Sequence, residues 1–232
     1  LYIVLLYANI VIVCVFGAEI KSVLWPGSKN QCDLPDFPNE IWGAVGFNMV
    51  KGPVICGGLG ENQCLILKQH QWMPFHNMTT ARRLASATEV NNDQTLIIGG
   101  IDDYWSELKT TELISSSGSV KGKDFPTTIA FHCTIKINST HALVTGGFQD
   151  KSISASTWFV DLTTTTFTPG PKMTSTRNIH GCSTLQLGRE TFGVVTGGLD
   201  NPNVLDSTEW IDLEEESPTW TEGMQDKSKI VY

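Results

Sequence analysis

The segment Val54-Ile55-Cys56-Gly57-Gly58, a short apolar run closed by two glycines, has three counterparts further along the chain. They are Leu96-Ile97-Ile98-Gly99-Gly100, Ala142-Leu143-Val144-Thr145-Gly146-Gly147 and Val194-Val195-Thr196-Gly197-Gly198. The steps from first glycine to first glycine are 42, 47 and 51 residues. An apolar strand that ends in Gly-Gly at this period is typical of one blade of a β-propeller. The sequence therefore predicts an all-β repeat protein.

The repeat extends beyond the glycines. The segments 156–162 and 207–213 align without a gap, and Glu112, Trp158 and Glu209 lie 12, 11 and 11 residues beyond the second glycine of their own repeat. Ahead of the doublets, the segment 78–82 (Met-Thr-Thr-Ala-Arg) matches 173–177 (Met-Thr-Ser-Thr-Arg). We therefore expect four antiparallel four-stranded blades, in each of which the glycine doublet ends the second strand.

These features resemble the kelch repeat over roughly residues 40 to 224, with Trp72 and Trp220 as the tryptophan of the fourth strand. The resemblance implies a kelch-type β-propeller with four visible blades, part of a six-bladed ring. Glycine suits the end of the second strand because it allows a positive φ and a close approach of another backbone.

The predicted domain organisation is a signal peptide at 1–17, truncated at its start, and a kelch propeller at 18–232 that is incomplete at its C-terminus. The first 18 residues carry no charged side chain, residues 10–15 form the centre of an apolar stretch, and cleavage after Gly17 is expected. A retained signal anchor is the alternative, because the apolar stretch approaches the length of a membrane span. The protein is accordingly expected to be secreted, with no membrane association after cleavage.

In a secreted protein, cysteines can form disulfides and Asn-x-Ser/Thr motifs can carry N-glycans. The disulfide candidates are Cys56, Cys64, Cys133 and Cys182, and buried free thiols are the alternative. Cys56 and Cys64 flank one predicted hairpin, and Cys133 and Cys182 lie on the innermost strands of consecutive blades. The sequons at Asn77 and Asn138 fall in predicted loops, as N-glycosylation requires.

Composition and motifs argue against several classes of function. The net charge of −8 disfavours nucleic-acid binding, which needs a basic face. The sequence contains no G-x-S-x-G, phosphate loop, H-E-x-x-H or CxxC, so neither catalysis nor a metal site nor a cofactor is predicted.

One enzymatic alternative follows from a second resemblance. The galactose oxidase family places a copper ion, held by two Tyr and two His, on a kelch-like propeller. Outside the predicted signal, this chain offers Tyr104 and Tyr232, and His132 and His180 on innermost strands. A copper-radical oxidase with ligands in a missing part is therefore the alternative function, and a cytosolic kelch adaptor is a third.

The favoured function is a non-catalytic module that binds a protein or glycan partner. In an antiparallel blade, the loop between strands two and three and the crossing to the next blade share one face. The predicted binding residues on that face are Arg82, Asp102, Asp103, Tyr104, Trp105 and Arg177. Arg83 lies in the same crossing as Arg82. Aromatic and arginine side chains are enriched at interface hot spots, although Trp105 packed between blades and arginines that join blades are the alternative.

Overall fold

A computed structural model describes residues 35–223, together with the backbone of two strands at 3–7 and 10–14. The predicted signal peptide lies outside the described residues except for those two strands, β1 (Ile3–Tyr7) and β2 (Ile10–Cys14), which pair as an antiparallel hairpin. The C-terminal segment 224–232 and Cys32 also lie outside them. Every regular element in the described part of the chain is a β-strand.

Four antiparallel sheets of four strands each make up the described domain. Sheet 1 contains β3 (Val45–Met49), β4 (Gly52–Cys56), β5 (Cys64–Lys68) and β6 (Gln71–Pro74). Sheet 2 contains β7 (Ser86–Asn91), β8 (Gln94–Ile98), β9 (Thr111–Ser115) and β10 (Gly118–Lys121). After the short strand β11 (Ile129–Ala130), sheet 3 contains β12 (Cys133–Lys136), β13 (His141–Thr145), β16 (Thr157–Asp161) and β17 (Thr166–Pro169). Sheet 4 contains β18 (Gly181–Leu187), β19 (Glu190–Thr196), β22 (Thr208–Asp212) and β23 (Trp220–Glu222).

The remaining short strands form hairpins between the second and third strands of sheets 3 and 4. They are β14 (Phe148–Gln149), β15 (Ser152–Ile153), β20 (Leu199–Asp200) and β21 (Asn203–Val204). β14 also pairs with β11, so a crossing segment and a hairpin together form a small additional sheet. These hairpins all extend from the end of the molecule at which the glycine doublets lie.

The predicted position of the glycine doublets is confirmed. Each doublet directly follows the second strand of its sheet, namely β4, β8, β13 and β19, and all eight glycines have positive φ. The conformation alone favours glycine, and close packing adds to it: the carbonyl oxygen of Ile129 occupies the place where a side chain on Gly99 would stand. The next glycine, Gly100, donates its N–H to the same carbonyl at 2.8 Å. The doublet therefore lets the following crossing pass directly over the strand end.

The sheets adjoin one another through their first strands, β3 with β7, β7 with β12 and β12 with β18. Hydrophobic cores fill the spaces between neighbouring sheets. Because side chains alternate along a strand, Leu96 and Ile98 of β8 face sheet 3, while Ile97 faces sheet 1. This is why the second strands read as continuous apolar runs, as strands buried on both faces do. The arrangement is consistent with blades of a β-propeller.

The crossings between sheets have equal lengths and repeat one conformation. They span 75–85, 122–132 and 170–180, so their residues correspond one to one. In each, one residue has positive φ although it is not glycine: Leu84, Phe131 and Ile179, at φ 57°, 56° and 52°. The N–H of Phe131 donates to the carbonyl of Leu84, and the N–H of Ile179 donates to that of Phe131, at 3.0 and 2.9 Å. A line of backbone hydrogen bonds therefore joins successive crossings.

Candidate functional site

A hairpin between the second and third strands of sheet 2 carries the most exposed aromatic side chains of the predicted site. Ile101 pairs with Arg83 of the crossing on one side and with Glu107 on the other, which fixes the base of the hairpin. At its tip, the Asp102 carboxylate accepts hydrogen bonds from the N–H groups of Tyr104 and Ser106, at 2.9 and 2.8 Å. The turn is thus ordered by its own side chain.

Tyr104 and Trp105 project from this tip. Tyr104 is 90% exposed and Trp105 is 62% exposed. One face of Trp105 lies 4.4 Å from the guanidinium carbon of Arg83, and Trp42 lies 5.4 Å from the same carbon. The two tryptophan rings are 6.0 Å apart. We call Trp42, Arg83, Tyr104 and Trp105 the aromatic–arginine surface. Both rings are within the range of a cation–π interaction with Arg83.

The two predicted acidic residues of this hairpin differ in their roles. Asp102 is half-buried and its carboxylate holds the turn. Asp103 is exposed, and its carboxylate lies against Gly60 in the corresponding loop of sheet 1. Asp102 therefore orders the turn, and Asp103 is the more exposed of the two.

The prediction that Arg82 lies on a binding surface is wrong. Its side chain is buried and donates hydrogen bonds to the carbonyls of Gly99 and Thr110, at 2.7 and 2.8 Å, and to Glu112 at 2.8 Å. Burial lowers the pKa of Arg82, although the hydrogen bond and charge of Glu112 oppose that shift. Burial raises the pKa of Glu112, but hydrogen bonds from the Thr79 N–H and other donors outweigh it, so this pKa lies below its usual value. Arg82 joins a crossing to the third strand of the next sheet.

Arg177 is buried in the same way, so its predicted exposure is also wrong. It donates to the carbonyl of Gly197 at 2.7 Å and forms an ion pair with Glu209. Burial raises the pKa of Glu209, but the hydrogen bonds from Arg177 and the Thr174 N–H bring it below its usual value. The arginines that join blades, the alternative considered from the sequence, are what the structure contains at both positions.

Sheet 3 replaces this ion pair by an apolar contact. Ile129 occupies the crossing position of Arg82 and Arg177, and Trp158 occupies the strand position of Glu112 and Glu209. Ile129 is buried in the core between sheets 2 and 3, with Trp158 packed against that core. Both members of the pair have changed together, which indicates that the arginine serves to satisfy the buried glutamate.

Arg83 has the opposite orientation to Arg82 because the two are neighbours in an extended segment, where successive side chains point to opposite sides. The arginine that repeats in the sequence is bound to a buried glutamate, and the one that does not repeat lies, largely buried, beneath the exposed Trp105. The positions equivalent to Arg83 are Ala130 and Asn178. Trp42 precedes the first recognisable strand of the repeat, so the periodicity gave no reason to select it.

Both candidate disulfides are present. Cys56 and Cys64 join adjacent strands of sheet 1, and Cys133 and Cys182 join the first strands of sheets 3 and 4. At the neighbouring interface, between sheets 2 and 3, the corresponding positions hold Ser86 and Thr134, whose hydroxyls are 2.6 Å apart. The disulfide therefore takes the place of a hydrogen bond between equivalent strands. Disulfides of this kind are compatible with an extracellular protein.

His132 and His180 are both buried at these interfaces. The Nε2 atom of His132 lies 2.6 Å from the Ser86 hydroxyl, and that of His180 lies 2.8 Å from the Thr145 hydroxyl. Burial lowers the pKa of each histidine to about 3. The charge of His180 also lowers the pKa of His132, and the charge of Arg177 also lowers the pKa of His180. In the described residues, no three His, Cys, Asp or Glu side chains come together as a metal site would require. Tyr232, the second tyrosine of the copper hypothesis, lies outside them.

The two sequons lie at exposed asparagines. Asn77 is in the crossing after sheet 1, and Asn138 is in the turn between β12 and β13. The Asn138 carboxamide oxygen accepts hydrogen bonds from the N–H groups of Thr140 and His141, at 2.8 and 2.9 Å. That turn presents the asparagine to solvent.

Comparison with known proteins supports the fold alone. No protein-family model and no curated protein matches the sequence. Among solved structures, the chain is similar to one described as the structure of YjhT, with a TM-score of 0.69 and 16% sequence identity. The similarity covers 84% of this chain and 68% of that one. The part of the chain that the structure describes contains no helix long and apolar enough to span a bilayer.

Proposed function

We propose that this chain belongs to a secreted kelch-type β-propeller of six blades, and that it acts as a non-catalytic module binding a protein or glycan partner. The observation that carries the proposal is the aromatic–arginine surface. Two large aromatic side chains, Tyr104 and Trp105, are left largely in solvent, although burying them would be favourable. Exposed aromatic side chains beside an arginine are the usual composition of an interface hot spot.

The hydrogen bonds that hold this hairpin in place also favour a binding role. The Glu107 carboxylate at its base accepts a hydrogen bond from the Thr128 hydroxyl at 2.8 Å and from the Lys151 N–H at 3.2 Å. Thr128 lies in the crossing to sheet 3, and Lys151 lies in the hairpin of sheet 3. The hairpin is therefore held by these contacts on one side and by the pairing of Ile101 with Arg83 on the other. A loop on a rigid scaffold loses little conformational entropy when a partner binds.

Trp105→Ala tests this function. Truncating an exposed hot-spot residue is expected to weaken partner binding by about 1–3 kcal/mol while the domain stays folded. The secreted wild-type protein would be screened on an array of extracellular proteins and glycans, and the variant would be compared on each positive spot. Thermal unfolding would be recorded in parallel.

The matched control is Val204→Ala, which shortens an exposed apolar side chain on the equivalent hairpin of sheet 4, where Val204 is 80% exposed. It should bind like the wild type. Loss of folding in Trp105→Ala, or binding equal to that of the control, would contradict the assignment of the site.

Secretion is tested through the sequons. Expressed in a secretory host, the protein is expected to carry N-glycans on Asn77 and Asn138, since both side chains are exposed. Asn77→Gln and Asn138→Gln should each remove one glycan, so that glycosidase treatment shifts each variant by half the wild-type change in mobility. Retention in the cytosol with reduced cysteines would instead favour the adaptor hypothesis.

A further inference from the structure

Arg83 is an unpaired cation in a largely buried position. Its residue exposure is 8%, and its Nε atom is buried without a hydrogen-bond partner. Within the described residues, its side chain takes part in no ion pair and donates no hydrogen bond. The other two buried arginines, Arg82 and Arg177, each have a glutamate and backbone carbonyls as acceptors. Arg83 therefore differs from both in lacking a negative partner.

A buried charge without a partner is costly, so something must offset the loss of water around this guanidinium. The rings of Trp42 and Trp105 do so in part through cation–π contacts. Such contacts leave the N–H groups in the guanidinium plane without acceptors. These N–H groups form a planar fork that matches the two oxygens of a carboxylate.

We infer that the aromatic–arginine surface recognises a single carboxylate on a protein partner, an Asp or Glu side chain beside an apolar side chain. The inference rests on the proposed function and adds the chemistry of the partner. The carboxylate would accept a bidentate pair of hydrogen bonds from Arg83, and the neighbouring apolar group would pack on the exposed Trp105 and Tyr104.

Charge favours one acidic side chain over a polyanionic glycan. Asp102 and Asp103 begin the same hairpin, and the chain carries a net charge of −8. These charges repel a ligand with many negative groups, whereas one carboxylate in contact with Arg83 gains a direct partner. Tyrosine, tryptophan and arginine are also the side chains enriched in protein interfaces.

The test uses two small probes that differ in one group, N-acetyl-Phe-Asp-amide and N-acetyl-Phe-Asn-amide. Each is titrated to about 10 mM, which detects millimolar binding, while the indole N–H signals of Trp42 and Trp105 are followed by NMR. The Asp probe should shift both signals and bind at least about tenfold more tightly than the Asn probe, a difference of about 1.4 kcal/mol. Glucuronic acid is titrated in the same way and represents an acidic glycan.

Arg83→Met keeps an unbranched side chain beside both rings and removes the charge, so it should abolish the preference for the Asp probe. Arg83→Lys keeps the positive charge but lacks the planar guanidinium, so it should retain only part of the preference for the Asp probe. Lys172→Met, which removes an exposed cation from the crossing between sheets 3 and 4, should leave the preference unchanged.

Three outcomes overturn the inference: no shift with either probe, equal binding of both probes, or a preference that survives in Arg83→Met. Glucuronic acid binding more tightly than the Asp probe would overturn the protein assignment in favour of an acidic glycan. If Trp105→Ala weakens binding on the array and Arg83→Met does not, the proposed function stands and the carboxylate inference fails. If neither variant has an effect, both fail.

Discussion

Arg82→Met is expected to lower the free energy of unfolding by about 3–5 kcal/mol, because removing one member of a buried ion pair leaves the other charge without a partner. The variant leaves the Glu112 carboxylate buried and deprives the carbonyls of Gly99 and Thr110 of a donor. Arg177→Met should have an effect of similar size, since it breaks the second copy of the same arrangement. Urea unfolding with the disulfides intact measures both.

Lys109→Met provides the control for the loss of one positive charge. Lys109 forms an ion pair with Asp124 at 3.7 Å, but the two side chains are 58% and 35% exposed. Breaking a pair of this kind should cost less than about 1 kcal/mol. If Arg82→Met and Arg177→Met are no more destabilising than this control, the buried arginines do not hold the crossings to the sheets.

Stability should also fall steeply with acid, beginning near pH 6.5. The pKa of His132 and of His180 is lowered to about 3 in the folded protein, chiefly by burial, from an ordinary value of 6.5. As the pH falls through 6.5, the unfolded chain binds protons that the folded chain does not, so the unfolded state is favoured. This destabilisation is absent above pH 6.5 and grows progressively down to about pH 3. At pH 5 the two histidines together should cost about 4 kcal/mol relative to neutral pH.

The double variant His132→Gln, His180→Gln tests this origin. Glutamine keeps a hydrogen-bonding group near Ser86 and Thr145 but does not titrate, so the variant should show a flatter dependence of stability between pH 6.5 and 5. The buried Glu112 and Glu209 have pKa values below their usual range and act only at lower pH. A wild-type urea midpoint that does not change between pH 6.5 and 5 would contradict the prediction.

The repeat in the sequence predicted the sheets because backbone geometry imposes its own residue types. Gly99 and Gly100 combine positive φ with the close approach of a crossing, which other residues tolerate poorly. Cys133 and Cys182 could be placed on adjacent first strands from the same register, and the structure joins them. The same register did not predict the positive φ of Leu84, because nothing in a leucine indicates a left-handed conformation that the surrounding hydrogen bonds impose.

The candidate site was predicted in part. Tyr104 and Trp105 were selected from the loop position, and the structure leaves both exposed. Arg82 and Arg177 were selected for their residue type, and the structure buries both beside glutamates. The sequence did contain a feature that distinguishes the two arginines from Tyr104 and Trp105. Arg82 and Arg177 repeat together with Glu112 and Glu209, and a feature common to several repeats belongs to the scaffold.

The sequence by itself determined the number and composition of the strands in the described sheets, because the period of apolar residues and the conformational demands on glycine are local properties. The tertiary structure alone decided which side of each crossing faces the core. Arg82 and Arg83 are consecutive and chemically identical, yet one is neutralised by Glu112 and the other lies beside the rings of Trp42 and Trp105. That difference arises from the packing of segments distant in the chain, which the periodicity of the sequence does not encode.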